Sequence, residues 1–145
     1  MIQFDDYLWR GPRPKNLSLL ADQGFKQIIN LETGAFRFFH GLEHEGKQAD
    51  TAGMEEAIFP CSDIWYPNRV RTMRCVAFML YMKQRKIKTY IHCLSGVDRT
   101  GFMCAVYRIL AENWTYEKAY EEWVTLGRHW WYDWWKKELK FYGGK

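Results

Sequence analysis

Short β-rich runs alternate with longer stretches of helical spacing. Four runs read as strands, at 7–10, 27–31, 56–59 and 89–92, each bounded by glycine, proline or charged residues. Between the first two, residues 16–22 form a short helix candidate, closed by Gly24. From Val70 to Lys83 the apolar positions Val70, Met73, Ala77, Leu80 and Tyr81 recur at helical spacing and predict the buried face of a helix. Phe102, Ala105, Val106, Ile109 and Leu110 do the same for residues 100–112. Thr115 is placed to cap a third helix, and 133–141 reads as a fourth. Strands interleaved with helices, then a helical half, predict an α/β fold with a small, mostly parallel twisted sheet flanked by helices, as one domain over 1–145. Residues 33–54 carry Gly34, Gly41, Gly46 and Gly53, show no sustained period, and read as a surface excursion.

Composition narrows the class. In 145 residues, 48% are hydrophobic and 18% aromatic, enough for a core and against global disorder. Lysine and arginine exceed aspartate and glutamate by 21 to 17, a net charge of +4 that suits an anionic substrate but is too diffuse to argue for nucleic acid. Residues 1–6 lack the basic and apolar regions of a signal peptide, and the run at 75–82 is too short to cross a bilayer. Cys61, Cys75, Cys93 and Cys104 are irregularly spaced and read as reduced thiols, so a cytoplasmic protein with no transmembrane segment is expected. Oligomeric state stays open.

The chemistry concentrates in His92-Cys93-Leu94-Ser95-Gly96-Val97-Asp98-Arg99-Thr100-Gly101. A strand leads into this segment and a helix leaves it, so backbone N–H groups and the positive end of a helix dipole converge on an anion site. Gly96 lets the backbone curl. A free thiol, with a pKa of ~8.5, is mostly protonated at neutral pH, and amides, helix dipole and guanidinium together stabilise the thiolate. Arg99 offers a planar fork for two phosphoryl oxygens. Thr100 can donate to the thiolate, and His92 reads as a residue that fixes loop geometry. A lone cysteine at a strand end is ordinarily a core residue; the glycine, arginine and threonine overturn that reading here.

This Cys-x5-Arg loop, with His92 before it and Thr100-Gly101 after it, resembles the signature of the protein tyrosine and dual-specificity phosphatase superfamily. Leu8-Trp9-Arg10-Gly11-Pro12-Arg13-Pro14 and Ile28-Ile29-Asn30-Leu31 are similar to the opening of its compact members. The resemblance implies attack of Cys93 on phosphorus to form a phosphocysteine, with Leu94, Ser95, Gly96, Val97, Asp98 and Arg99 holding the phosphoryl oxygens. It implies a general acid about thirty residues upstream, where Asp63 stands. Asp63 would protonate the leaving oxygen and then deprotonate water; its plainer reading is a solvated loop aspartate or a cap. Neither metal nor organic cofactor is called for.

Asp98 departs from the small or neutral residue common in such loops. A positioning role is expected of it, with acid duty as the rival. The expected substrate is phosphotyrosine or phosphoserine/threonine on protein; the alternative, a phosphoinositide or inositol phosphate, is suggested by Asp98 and the basic flanks. From another class, a catalytically silent phosphate-binding module competes, although the loop is intact. A rhodanese-like sulfurtransferase does not call for the Arg-Thr-Gly ending.

Arg69, Arg71, Arg74, Lys83, Arg85, Lys86 and Lys88 read as a solvated helix face, or as a rim that steers phosphorylated substrate. His40 and His44 lack a third ligand and make a poor metal site. Of Trp130, Trp131, Trp134 and Trp135, the pairs four apart share a helix face, so one pair is expected in the core and the other partly exposed. Cys61 reads as a free thiol, with a reversible disulfide to Cys93 as the sharper reading.

Overall fold

The computed structural model describes residues 1–32, 42–62 and 64–144. Strands β1 (Ile2–Asp5), β2 (Leu8–Gly11), β3 (Gln27–Asn30), β4 (Glu55–Ile58) and β5 (Thr89–His92) form one sheet in the order β1-β2-β5-β3-β4. All neighbours are parallel except β1 and β2. The α/β expectation therefore holds, with β1 an added antiparallel edge strand. Every residue of β3 and β5 is buried, as central strands covered on both faces require.

Side-chain alternation divides the core. Ile28 and Tyr90 pack toward α1 (Leu17–Asp22) and α2 (Leu42–Thr51), with Leu17, Leu20, Phe25 and Ala49. Ile29 and Ile91 face the larger layer of α3 (Arg69–Gln84), α4 (Arg99–Glu112), α5 (Tyr116–Thr125) and α6 (Lys136–Tyr142). Asn16 caps α1 by accepting from the Ser18 N–H at 2.9 Å. Thr115 caps α5 as expected, accepting from the Lys118 N–H at 3.2 Å. Thr115→Ala should cost about 1 kcal/mol, measurable as a lowered denaturant midpoint at unchanged slope.

Three expectations change. The helix at α3 forms, but the inward face is Thr72, Cys75, Val76, Met79 and Met82, whereas Val70, Met73 and Tyr81 lie exposed. Apolar residues surround this helix, so two faces carry helical spacing and neighbours decide between them. The 33–54 excursion contains α2, a ten-residue helix whose buried positions include Glu45 and Ala49. The tryptophan cluster forms a 3-10 helix, Trp130–Trp135, rather than an α-helix. Its period of three buries Tyr132 and Trp135 together, so no pair four apart enters the core; Trp130, Trp131 and Trp134 stay 79%, 49% and 41% exposed.

Candidate active site

The segment 93–98 joins the C-terminal end of β5, the middle strand, to the N-terminus of α4. Ligands of open α/β sheets gather at that end of the strands. Five loop carbonyls are bonded to groups outside the loop. The Cys93 carbonyl lies 3.0 Å from His92 Nδ1, and the Leu94 carbonyl accepts from the Arg13 N–H at 3.1 Å. Buried Arg10 donates to the Gly96 carbonyl at 2.9 Å, and the Trp123 indole N–H serves those of Val97 and Asp98 at 3.1 and 3.0 Å. With carbonyls drawn to the rim, amides are left for the concave side, and the Gly96 N–H donates to Cys93 Sγ at 3.3 Å.

Two glycines permit this closeness. Gly96 sits at φ +77°, and a Cβ there would stand 2.2 Å from the Gly11 carbonyl carbon. A Cβ at Gly101 would stand 2.2 Å from Trp123 Cδ1, displacing the indole that holds the loop.

Arg99 opens α4, is nearly fully buried, and donates to the Cys61 carbonyl at 3.2 Å. That bond ties Cys61 to the start of α4; Arg71 donates to the Pro60 carbonyl at 3.0 Å, and the Trp135 indole to that of Ile64 at 3.2 Å. Asp63, the expected acid, lies outside the described residues. Ser62 and Ile64 on either side of it are held, Ser62 Oγ accepting from the Ile64 N–H at 3.1 Å. Thr100 Oγ1 is buried without a hydrogen-bond partner among the described residues, and so is free to donate elsewhere.

His92 is fully buried with both nitrogens engaged. Nε2 lies 2.9 Å from Glu45 Oε1, and Nδ1 faces the Cys93 carbonyl. Both partners are oxygen acceptors, a backbone carbonyl and a carboxylate. Burial pushes the Glu45 carboxyl up, but the His92 hydrogen bond and charge, with Arg13 beyond, bring it below the usual carboxylate range. Glu32, buried nearby, pairs with Arg13 through a forked contact. The expected geometric role of His92 thus acquires a second anchor, on α2.

Asp98 is 6% exposed. It occupies the N-cap position of α4 yet makes no cap bond with its side chain. Its carboxylate accepts instead from the His129 N–H at 2.7 Å and faces His129 Nδ1 at 2.6 Å. A cavity of about 220 Å³ is lined by Cys93, Asp98, Arg99, His129, Trp131 and Tyr132, with loop residues Leu94 and Ser95.

All four cysteines are free. Burial pushes the Cys61 thiol up to about 12 and Cys104 up to about 11, and Cys75 well above the ordinary range, so these three stay neutral near pH 7. The cationic flank is largely occupied: Arg69 grips Glu138 and lies over the Phe141 ring, Lys83 binds Asp5, and Lys88 donates to the Gln23 carbonyl. His40 of the weak metal reading lies outside the described residues. No helix among the described residues is long and apolar enough to cross a membrane.

Residues 8–113 match the family Tc-R-P, described as polymorphic toxin system, DSP-PTPase phosphatase. The chain belongs to this phosphatase family. It is also 28% identical over 119 residues to "Phosphatidylglycerophosphatase and protein-tyrosine phosphatase 1" of Mus musculus. That match covers 79% of this chain and 60% of the mouse protein, so the chain spans about three fifths of the relative's length. Solved structures share the fold. Tk-PTP in its active form superposes with a TM-score of 0.77 at 17% identity, covering 95% of this chain and 90% of that one. PTPMT1 gives 0.74 at 24% identity, covering 97% and 91%.

The pattern of residues did not expose Glu45, Arg10, Trp123 or His129. Each reaches the loop, or His92 before it, from another element of the fold.

Proposed function

We infer that the chain hydrolyses phosphate monoesters through a phosphocysteine on Cys93, acting on phosphotyrosine or phosphoserine/threonine in proteins. The observation that carries this is a small cavity lined together by Cys93, Arg99, Trp131 and Tyr132. A phenyl phosphate needs a narrow slot with an aromatic wall, and Arg99 supplies the cation for its phosphoryl oxygens. Cys93 attacks phosphorus, Asp63 protonates the leaving oxygen, and loop amides with Arg99 hold the charge that develops. Water then attacks the phosphocysteine, and the thiolate leaves with a hydrogen bond from Thr100. His92 holds the loop in place.

A second reading, a phosphoinositide or inositol phosphate substrate, draws on the relatives. The mouse protein's name includes phosphatidylglycerophosphatase, and PTPMT1 has been solved in complex with PI(5)P. The test is turnover of an aryl phosphate, a phosphopeptide panel and inositol lipids, with an acid-quenched search for phosphate on Cys93. Preference for phosphopeptides with phosphate on Cys93 supports the first reading; exclusive turnover of inositol lipids replaces it with the second. Asp63→Asn should lower turnover about 100-fold, and unchanged turnover would remove Asp63 from the acid role.

A further inference from the structure

We propose that the exposed indoles of Trp131, Trp134 and Trp65 form a specificity strip beside the catalytic cavity, which takes an apolar side chain of a phosphopeptide within three residues of its phosphorylated residue. The proposal rests on the phosphoprotein reading above and names which phosphoproteins that site selects.

The strip follows from the 3-10 helix. At three residues per turn, side chains three apart stand over one another. Tyr132 and Trp135 share the inward face, both buried, with ring centroids 4.9 Å apart. Trp131 and Trp134 therefore share a neighbouring face, and both are exposed. Trp65, 68% exposed, extends the row by packing edge-on against Trp134 at 5.6 Å. The other end of the row belongs to the catalytic cavity, because Trp131 lines it with Cys93 and Arg99. A peptide that delivers its phosphate there and runs on past Trp131 meets the other two indoles next. Trp131 and Trp134 lie beyond residues 8–113, the part of the chain that matches the family, so that match does not account for them.

These rings are exposed but held. His129 stacks on Trp131 with centroids 4.4 Å apart and planes 14° from parallel. The Trp135 indole N–H holds the Ile64 carbonyl at 3.2 Å, and Ser62 Oγ accepts from the N–H groups of Ile64 and Trp65 at 3.1 and 3.3 Å. Aromatic surface fixed before binding loses little freedom when a side chain lands on it.

Size and charge select the occupant. A 3-10 helix rises ~2 Å per residue, so with the 5.6 Å between the Trp134 and Trp65 rings the row runs about 12 Å. An extended peptide advances ~3.3 Å per residue, and about three to four residues cover that length. Three half-exposed tryptophans offer roughly 300–400 Å². A stable dimer needs about 800 Å² from each partner, so a second copy of this chain is a poor fit. An anionic membrane calls for free positive charge beside the indoles. The two cations bonded to this helix, Arg128 and Lys136, are both held by Asp133. One or two apolar side chains of a peptide match the strip in length and in area.

The test compares an aryl phosphate, too short to reach Trp134, with a set of phosphotyrosine peptides. In the set, one position at a time, up to three from the phosphotyrosine, carries leucine or glutamine. Wild type should prefer leucine at one or more of these positions by about tenfold in kcat/KM, through KM rather than kcat. Trp134→Ala and Trp65→Ala should each reduce that preference to about twofold, with kcat and KM for the aryl phosphate unchanged. Trp134→Phe keeps a ring and should retain most of the preference. Should Trp134→Ala melt early, Trp65→Ala decides by the same ratios, since the more exposed ring contributes less to the fold. A variant that slows the aryl phosphate and both peptides alike, or that keeps the tenfold preference, overturns the proposal. Sedimentation with vesicles of phosphatidylcholine, with and without phosphatidylserine, tests the lipid occupant. Wild-type binding to vesicles that is lost in Trp65→Ala, while the peptide KM holds, assigns the strip to lipid and overturns the proposal. If wild type hydrolyses no phosphopeptide, the phosphoprotein reading fails and the strip with it; if it hydrolyses them with no preference for leucine at any position, only the strip fails.

Discussion

Cys93→Ser is expected to abolish turnover of every substrate while leaving phosphate binding intact, and Arg99→Lys to weaken both. A serine hydroxyl is a far weaker nucleophile than a cysteine sulfur, and losing a nucleophile has cost about 10⁶ in turnover where it has been dissected in subtilisin. The carbonyls that shape the loop are bonded to Arg10, Arg13, His92 and Trp123, none of which contacts the Cys93 side chain through those bonds. The cradle therefore survives the substitution, and a phosphopeptide should be retained by the variant in a binding assay. Arg99 differs because one guanidinium serves two duties. It donates to the Cys61 carbonyl and lines the cavity beside Cys93. Lysine is a single point charge and cannot hold that carbonyl while offering a fork to phosphate. Removal of one donor of this kind costs about 10²–10³ in turnover. Steady-state kinetics checks the loss, and retention of phosphopeptide by Arg99→Lys at wild-type affinity would remove the side chain from substrate binding.

The part of the site that was legible in the sequence is the part built from contiguous residues. Cys93, Gly96, Arg99 and Thr100 fall at fixed offsets, because a strand, a tight loop and a helix N-terminus must follow one another without a break. The strands were legible for a similar reason: β3 and β5 carry Ile28-Ile29 and Tyr90-Ile91 at their centres and are buried on both faces, so tertiary packing agrees with local pattern. Where local pattern allows two solutions, it fails. Apolar residues on all sides of α3 gave two candidate faces, and packing chose Cys75, Val76 and Met79 over Val70 and Met73. The tryptophans were read at a period of four because an α-helix was assumed, whereas the 3-10 helix selects Tyr132 and Trp135. The least legible element is α2, whose buried positions among the described side chains include a carboxylate, Glu45, and an alanine, Ala49. A search for hydrophobic periodicity passes over a helix anchored by an ion pair.

That ion pair sets the last prediction. Glu45→Ala should leave His92 buried with Nε2 facing no carboxylate from α2, beside the peptide that begins the 93–98 loop. Breaking a buried pair by removing one partner costs about 3–5 kcal/mol, which corresponds to a melting temperature lower by roughly 10 °C in a chain of this size. Activity should fall more than stability alone requires, because the His92 ring positions the Cys93 carbonyl and Glu45 positions the ring. The sign of the pH dependence follows from the Glu45 carboxyl, which the His92 interaction holds below its ordinary value of 4.5. A carboxylate with a depressed folded-state pKa contributes stability above the unfolded value, and that contribution is lost as pH falls from about 4.5 through the lower folded value. The wild-type melting temperature should therefore drop more steeply below pH 4.5 than that of Glu45→Gln, and the two curves should converge as acid removes the charge. Parallel curves across that range would show that the Glu45 charge is not linked to the stability of the fold.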